Sequence, residues 1–313
     1  MPILVAPTTN PGEPQAPWEW PQRLIEMPKV SFTDPGGMTT MFTDWERGWI
    51  LQPGAKGLDM PSYSIAQDES PGIDGYEVRQ VRAQGKAITL PIAFWANDSR
   101  AAYKARRRAL IRSLNPKRGQ GTLTLTEPDG ASRSIGVRYT DGMEGDESLD
   151  AAGARWCITA LVFAVPSPYW IGGEVSTTWK TVVGGDFYPF LPFTVGDSQV
   201  LGSVTVDNDG DDDAYPIWTI KGPATSATLT NHTTGQTLVL TRTLTGTDTV
   251  VIDTRERRQT ALLNGVTNLW PNLSDTSTLW PLEPDRNELT LTVAGSTTAT
   301  SVRMTYQPRY LAS

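Results

Sequence analysis

Side chains capable of acid–base or nucleophilic chemistry are scarce in this chain. Its 313 residues hold one histidine, His232, and one cysteine, Cys157, beside 34 aspartates and glutamates. A Ser-His-Asp hydrolase needs a histidine that takes the nucleophile's proton and later returns it. His232 stands in Asn231-His232-Thr233-Thr234-Gly235, a polar run that reads as a hairpin turn, where a surface imidazole is expected rather than a base. Cys157 lies between Trp156 and Ile158 in an apolar run, where a thiol behaves as a small hydrophobe. Glycosidase chemistry requires two carboxylates at a set separation, and no pair stands out by its local context. The expectation is a chain with no catalytic residue, no cofactor and no metal centre.

Three clusters point to binding instead. Asp207-Asn208-Asp209-Gly210-Asp211-Asp212-Asp213 has the composition of a calcium loop, but an EF-hand needs glycine at position 6 and glutamate at position 12, and counting from Asp207 gives Asp212 and Trp218. The run reads as a solvated acidic turn, with a calcium site of another type as the alternative. Arg100, Lys104, Arg106, Arg107, Arg108, Arg112, Lys117 and Arg118 form a basic cluster with only Tyr103 as interleaved aromatic, which fits a charged helix face better than a nucleic-acid platform. Within it Arg100, Lys104, Arg107 and Arg108 are the candidates for a subunit interface. Trp270 and Trp280 fall in a segment rich in Pro, Asn and Ser, where an exposed indole could stack on a sugar. The competing reading makes them anchors in the core. Trp45, Trp49, Trp95, Trp156 and Trp218 sit in apolar or strand contexts and are expected mostly in the core.

The elements that would position these residues are mainly β. Seven prolines up to Pro28 favour an extended arm over residues 1–28, with Trp18 and Trp20 as its apolar surfaces; the alternative is a disordered tail. Lys29–Phe32, Val78–Val81 and Ala87–Trp95 read as strands. The last of these places Ile88, Leu90, Ile92 and Phe94 on one face by its two-residue period, and Pro91 suggests an edge or a bulge. Asn97-Asp98-Ser99 supplies an N-cap for one helix that stops before Pro116 and carries Tyr103, Leu110, Ile111 and Leu114 near one face. Gly121–Thr126 and Ser134–Tyr139 flank Glu127-Pro128-Asp129-Gly130 as a hairpin, and Trp156–Ala164 reads as a buried strand. Beyond a boundary shortly after Trp170, short strands at 204–206, 217–220, 238–244, 250–252, 289–293 and 302–306 suggest a β-sandwich.

Length sets a prior of two domains, here 29–172 and 173–313. The opening residues lack a basic and apolar leader pattern, and no apolar run approaches the ~18 residues needed to span a bilayer, so no membrane association is expected. A single cysteine excludes an intrachain disulfide and fits folding in a reducing cytosol. The net charge is −7, and residues 173–313 hold 9 basic against 15 acidic side chains, which argues against nucleic-acid binding there.

Several stretches recur in a familiar order. Gly75-Tyr76-Glu77-Val78-Arg79, the Ile88–Trp95 strand, the helix with Tyr103, Arg107 and Leu110, Gly121-Thr122-Leu123, the Tyr139 strand and Pro168-Tyr169-Trp170 together resemble the distal tail protein family of siphophages. Asn208-Asp209-Gly210, Tyr215-Pro216-Ile217, Gly222, Trp280-Pro281-Leu282 and Asn287-Glu288-Leu289 are similar to that family's C-terminal β-sandwich. The chain departs at Asp285-Arg286, where the family usually has a glycine before the asparagine. The resemblance implies a ring-forming N-terminal β domain and a galectin-like or carbohydrate-binding-module-like sandwich. It implies a structural protein of the virion tail tip, made in the host bacterial cytoplasm and assembled as a homo-hexamer. Its implied partners are the major tail tube protein, the tape measure protein and the tail-associated central fibre protein. The alternative is a receptor-binding tail protein whose sandwich holds a host cell-wall glycan.

Overall fold

The computed structural model describes residues 27–69, 72, 74–144, 156–181 and 198–313. The arm expected over residues 1–28, with Trp18 and Trp20, lies outside the described residues apart from its last two. The architecture is mainly β with one α-helix.

The N-terminal half is built on one curled antiparallel sheet. Its strands are β1 (Lys29–Thr33), β2 (Thr39–Met41), β3 (Trp49–Leu51), β6 (Lys86–Trp95), β7 (Gly121–Thr126), β8 (Ser132–Asp141) and β9 (Trp156–Val165), in the order β2-β1-β7-β8-β9-β6-β3. Phe32 of β1 and Phe163 of β9 lie three strands apart in that order, yet their rings approach to 5.6 Å between centroids. The sheet therefore wraps around its own core. Ile88, Leu90, Ile92 and Phe94 all point into that core, as the two-residue period requires. The helix α1 (Arg100–Ser113) is capped by the Ser99 hydroxyl, which accepts from the Ala102 N–H. It closes the core by stacking Tyr103 on Phe94 at 5.7 Å.

Two expectations are corrected here. Ile111 is exposed while Tyr103, Leu110 and Leu114 are buried. At ~100° per residue, Leu110 and Leu114 fall within about 20° of Tyr103, but Ile111 falls about 80° away. Pro91 is not on an edge strand, because β6 has β9 on one side and β3 on the other. Its carbonyl accepts from the Gln52 N–H, so its ring nitrogen faces the same side, where β3 has already ended at Leu51. No ladder bond to β9 is lost.

The remaining strands of this half are β4 (Tyr63–Asp68) and β5 (Glu77–Ala83), which form a two-stranded sheet by themselves, and the short β10 (Trp170–Ile171).

The C-terminal half is a β-sandwich with its own core. One sheet holds β11 (Val175–Lys180), β12 (Ser198–Val200), β14 (Ile217–Lys221), β17 (Thr249–Asp253), β18 (Thr260–Leu263), β19 (Thr267–Asn268) and β21 (Ser301–Tyr306). The other holds β13 (Ser203–Asn208), β15 (Ser226–Asn231), β16 (Gln236–Leu240) and β20 (Asp285–Ala294). The strand expected over 238–244 stops at Leu240, and Leu244 instead makes a single bridge to Ala224. A column of indoles fills the core, with Trp179 and Trp218 at 6.3 Å and Trp218 and Trp280 edge-on at 5.4 Å. Such large buried aromatics contribute much of the apolar area that holds two sheets face to face.

The two halves are tied by the last strand, β22 (Arg309–Tyr310), which leaves the sandwich and pairs with β10. Arg133 donates to the Ala312 carbonyl at 3.0 Å and lies 3.8 Å over the Tyr310 ring.

Candidate assembly interface

Every residue of β4 and all but the last of β5 are exposed. The β4–β5 hairpin stands between β3 and β6 in sequence and, among the described residues, pairs with no third strand. Cross-strand partners Tyr63 and Ala83, Ile65 and Val81, and Gln67 and Val78 put Tyr63, Ile65, Val78, Val81 and Ala83 on one face. Ser64, Ala66, Asp68, Glu77, Gln80 and Arg82 occupy the other, and Arg79 pairs with Asp68 across the hairpin. The hairpin is thus amphipathic, yet its apolar face meets no core: Ile65 is 50% exposed and Val81 55%. A lone two-stranded hairpin is marginal in water and gains stability by laying such a face on another surface. The stretch Gly75–Arg79 that carried part of the family resemblance begins just before β5 and runs into it.

The basic cluster divides under the geometry. Arg106 turns inward, donating to the Trp95 carbonyl and lying 5.9 Å over the Trp49 ring. Arg118 reaches back to Asp34 at 3.0 Å, where the same carboxylate accepts the Gly36 and Met38 N–H groups. Those backbone bonds, ahead of the guanidinium's charge, hold the Asp34 carboxyl below its ordinary pKa against the opposing effect of burial. Arg100 and Arg108 remain exposed, and Lys104 and Arg107 are half-buried.

The paired tryptophan surface is corrected. Trp280 is 1% exposed and packs against Trp218 in the sandwich core, so its face cannot meet a ligand. Trp270, 43% exposed on a short 3₁₀ turn, stands alone. Of the five tryptophans expected mostly in the core, Trp49 and Trp218 are buried. Trp45 and Trp156 are exposed, and Trp95 is half-buried between them.

His232 forms part of the β15–β16 turn, as expected, and lies 2.8 Å from the Thr290 hydroxyl. In the acidic run Asp207, Asp209 and Asp211 are exposed, while Asp212 and Asp213 are half-buried. Asp211 accepts the Leu311 N–H, Asp212 accepts the Asp213 N–H, and the Tyr169 hydroxyl bonds Asp212. Burial, then the neighbouring charges of Asp212 and Glu283, pushes the Asp213 carboxyl upward. Among the described residues, no three His, Cys, Asp or Glu side chains converge as a metal site.

The asparagines of the resemblance act as polar pegs. Asn208 is buried, donates to the carbonyls of Asp212, Leu282 and Glu283, and accepts from the Gly210 N–H. Asn287 both donates to and accepts from the Glu283 backbone, at 2.8 and 3.0 Å. Asn231 bridges Asn287 and the turn at Thr233. Reading the sequence alone missed Asn231 as a partner, although its place just before the His232 turn is where an Asx side chain commonly bonds the backbone.

Residues 209–310 match the family model for the C-terminal domain of the siphovirus-type tail component SPP1_Dit. The chain carries the Dit fold. It is similar to the crystal structure of the SPP1 Dit protein, described as a paradigm of the hub adsorption apparatus in phages infecting Gram-positive bacteria. That likeness has a TM-score of 0.64 at 16% identity over 90% of this chain and 98% of the other. It is also similar to a chain of the phage p2 baseplate in its activated conformation with Sr, at TM-score 0.50 and 11% identity over 92% of this chain and 100% of that one. No curated protein sequence matches it. The family match covers the sandwich, and the likeness to the solved structures extends the same fold over nearly the whole chain.

Proposed function

We propose that this Dit-like chain is a non-catalytic hub of the virion tail tip, in which residues 29–172 form a ring with five further copies and residues 173–313 project from it as the sandwich. The ring joins the major tail tube protein and the tape measure protein on one side to the tail-associated central fibre protein on the other. The chain would be made in the host cytoplasm and incorporated there. The observation that carries this reading is the β4–β5 hairpin, whose apolar face is exposed on the isolated subunit. A closed ring gives every copy the same head-to-tail contact, so one such face per subunit is covered once per neighbour. Arg100, Lys104, Arg107 and Arg108 on α1 would add charge pairing at that contact, setting register more than affinity.

The test is the solution mass of the purified chain by light scattering with negative-stain imaging. Closed six-fold rings are expected. A chain that stays monomeric at every concentration, and also fails to form rings when mixed with tube protein, overturns the proposal.

A further inference from the structure

The outward face of the sheet carries a second apolar surface, separate from the hairpin. On β3, β6 and β9 the outward residues are Ile50, Ala93, Trp95, Trp156 and Ile158. Trp95 and Trp156 are direct cross-strand partners, as are Ala93 and Ile158, and Ile50 pairs with Ala93 from the other side. The small Ala93 leaves a trough between Ile50 and Ile158. Trp95 and Trp156 wall its end, and Trp45 stands over it with its ring edge-on to Trp95 at 4.7 Å. Trp45 is 67% exposed and Trp156 and Ile158 each 53%. An open groove lined by three indoles has the make-up of the surfaces that bind proline-rich segments in the polyproline II conformation.

We infer that this groove is the docking site of the chain's own segment Pro11–Trp20. Pro11, Pro14, Pro17 and Trp20 recur at intervals of three. Polyproline II has three residues per turn, so that spacing places all four side chains on one edge, ready to lie along a single trough. Proline has already restricted the backbone, so docking costs less conformational entropy than for an ordinary tail. Reach is sufficient. The described chain starts at Met27, and the 16 residues back to Pro11 span up to about 53 Å extended, against about 33 Å for the ten-residue strand β6.

The experiment uses the full chain with the photocrosslinker p-benzoyl-phenylalanine in place of the exposed Asn97, and peptide mapping by mass spectrometry. Irradiation is expected to join position 97 to residues within 11–20. Trp20→Ala removes one aromatic anchor and should lower the ratio of docked to undocked segment about tenfold. Pro14→Gly with Pro17→Gly should lower it as well, with the melting temperature of the chain unchanged. Crosslinks only to residues beyond Met27 of a second copy would mean that a subunit face fills the groove, and this overturns the inference. The absence of any crosslink from a folded variant overturns it too. Ring formation is scored separately by mass, so failure of the docking and failure of the ring are told apart.

Discussion

Replacing Ile65 and Val81 together by lysine should abolish self-assembly and leave the subunit folded. The two are direct cross-strand partners on the apolar face of the β4–β5 hairpin, each with about half of its surface exposed. That leaves roughly 80 Å² per side chain for a neighbour to cover, or about 4 kcal/mol for the pair at ~25 cal/mol/Å². Losing it weakens each contact by about three orders of magnitude, and two ammonium groups forced under a neighbouring subunit add a desolvation cost on top. Neither residue touches either hydrophobic core, so the melting temperature of the monomer should be unchanged. Light scattering across a concentration series reads the outcome: rings for the parent chain and monomer for the variant. A variant that assembles with the same mass and concentration dependence as the parent would refute the assignment of this hairpin to the contact.

Trp280→Ala empties the centre of the indole column and should destabilise the sandwich by about 3–5 kcal/mol, whereas Trp270→Ala should change stability by less than about 1 kcal/mol; urea unfolding measures both. Asp285 holds φ at +66°, a region that glycine occupies without strain, so Asp285→Gly should raise the free energy of unfolding by about 0.5–1 kcal/mol, read as a higher urea midpoint. Asp213 has its pKa raised in the folded chain, first by burial and then by Asp212 and Glu283, so its ionised form opposes folding. That cost is fully present above the folded value and is relieved as pH falls through it towards the ordinary carboxylate value of 3.8. Asp213→Asn should therefore stabilise the chain at neutral pH and flatten the pH profile of its melting temperature in that window.

The sheet core was legible because period-two burial is a strong local signal: Ile88, Leu90, Ile92 and Phe94 could lie on only one face of a strand. The same rule places Trp95 on the opposite face from Phe94, and Trp156 and Ile158 opposite Cys157. Applying it would have found the exposed groove, but hydrophobicity alone does not tell a core indole from one waiting for a partner. Strand β15, with the sequence SATLTN, was missed because its apolar residues are only Ala227 and Leu229. Its identity as a strand comes from pairing with β16 and β20 rather than from its own composition. The β4–β5 hairpin was half legible. Val78–Val81 read as a strand, but Tyr63–Asp68 did not, since Ser64, Gln67 and Asp68 dilute its pattern and the bulge at Ala66/Gln67 shifts its register.

The distribution of unburied apolar surface separates the roles of the two halves. Of the large apolar side chains left exposed among the described residues, only Val175, Val266 and Trp270 belong to the sandwich; all the others precede Trp170. The sandwich is largely self-contained: Trp179, Trp218 and Trp280 are packed inward, its asparagine pegs bond the backbone on both sides, and its excess of acidic side chains favours solvent. The N-terminal half is not, because no described residue covers the apolar face of the hairpin or the indole groove. β22 closes the argument, since it runs from the self-contained half back onto β10 of the unsatisfied one. In the proposed hub, a neighbour that covers the N-terminal surfaces would thereby set where the sandwich stands.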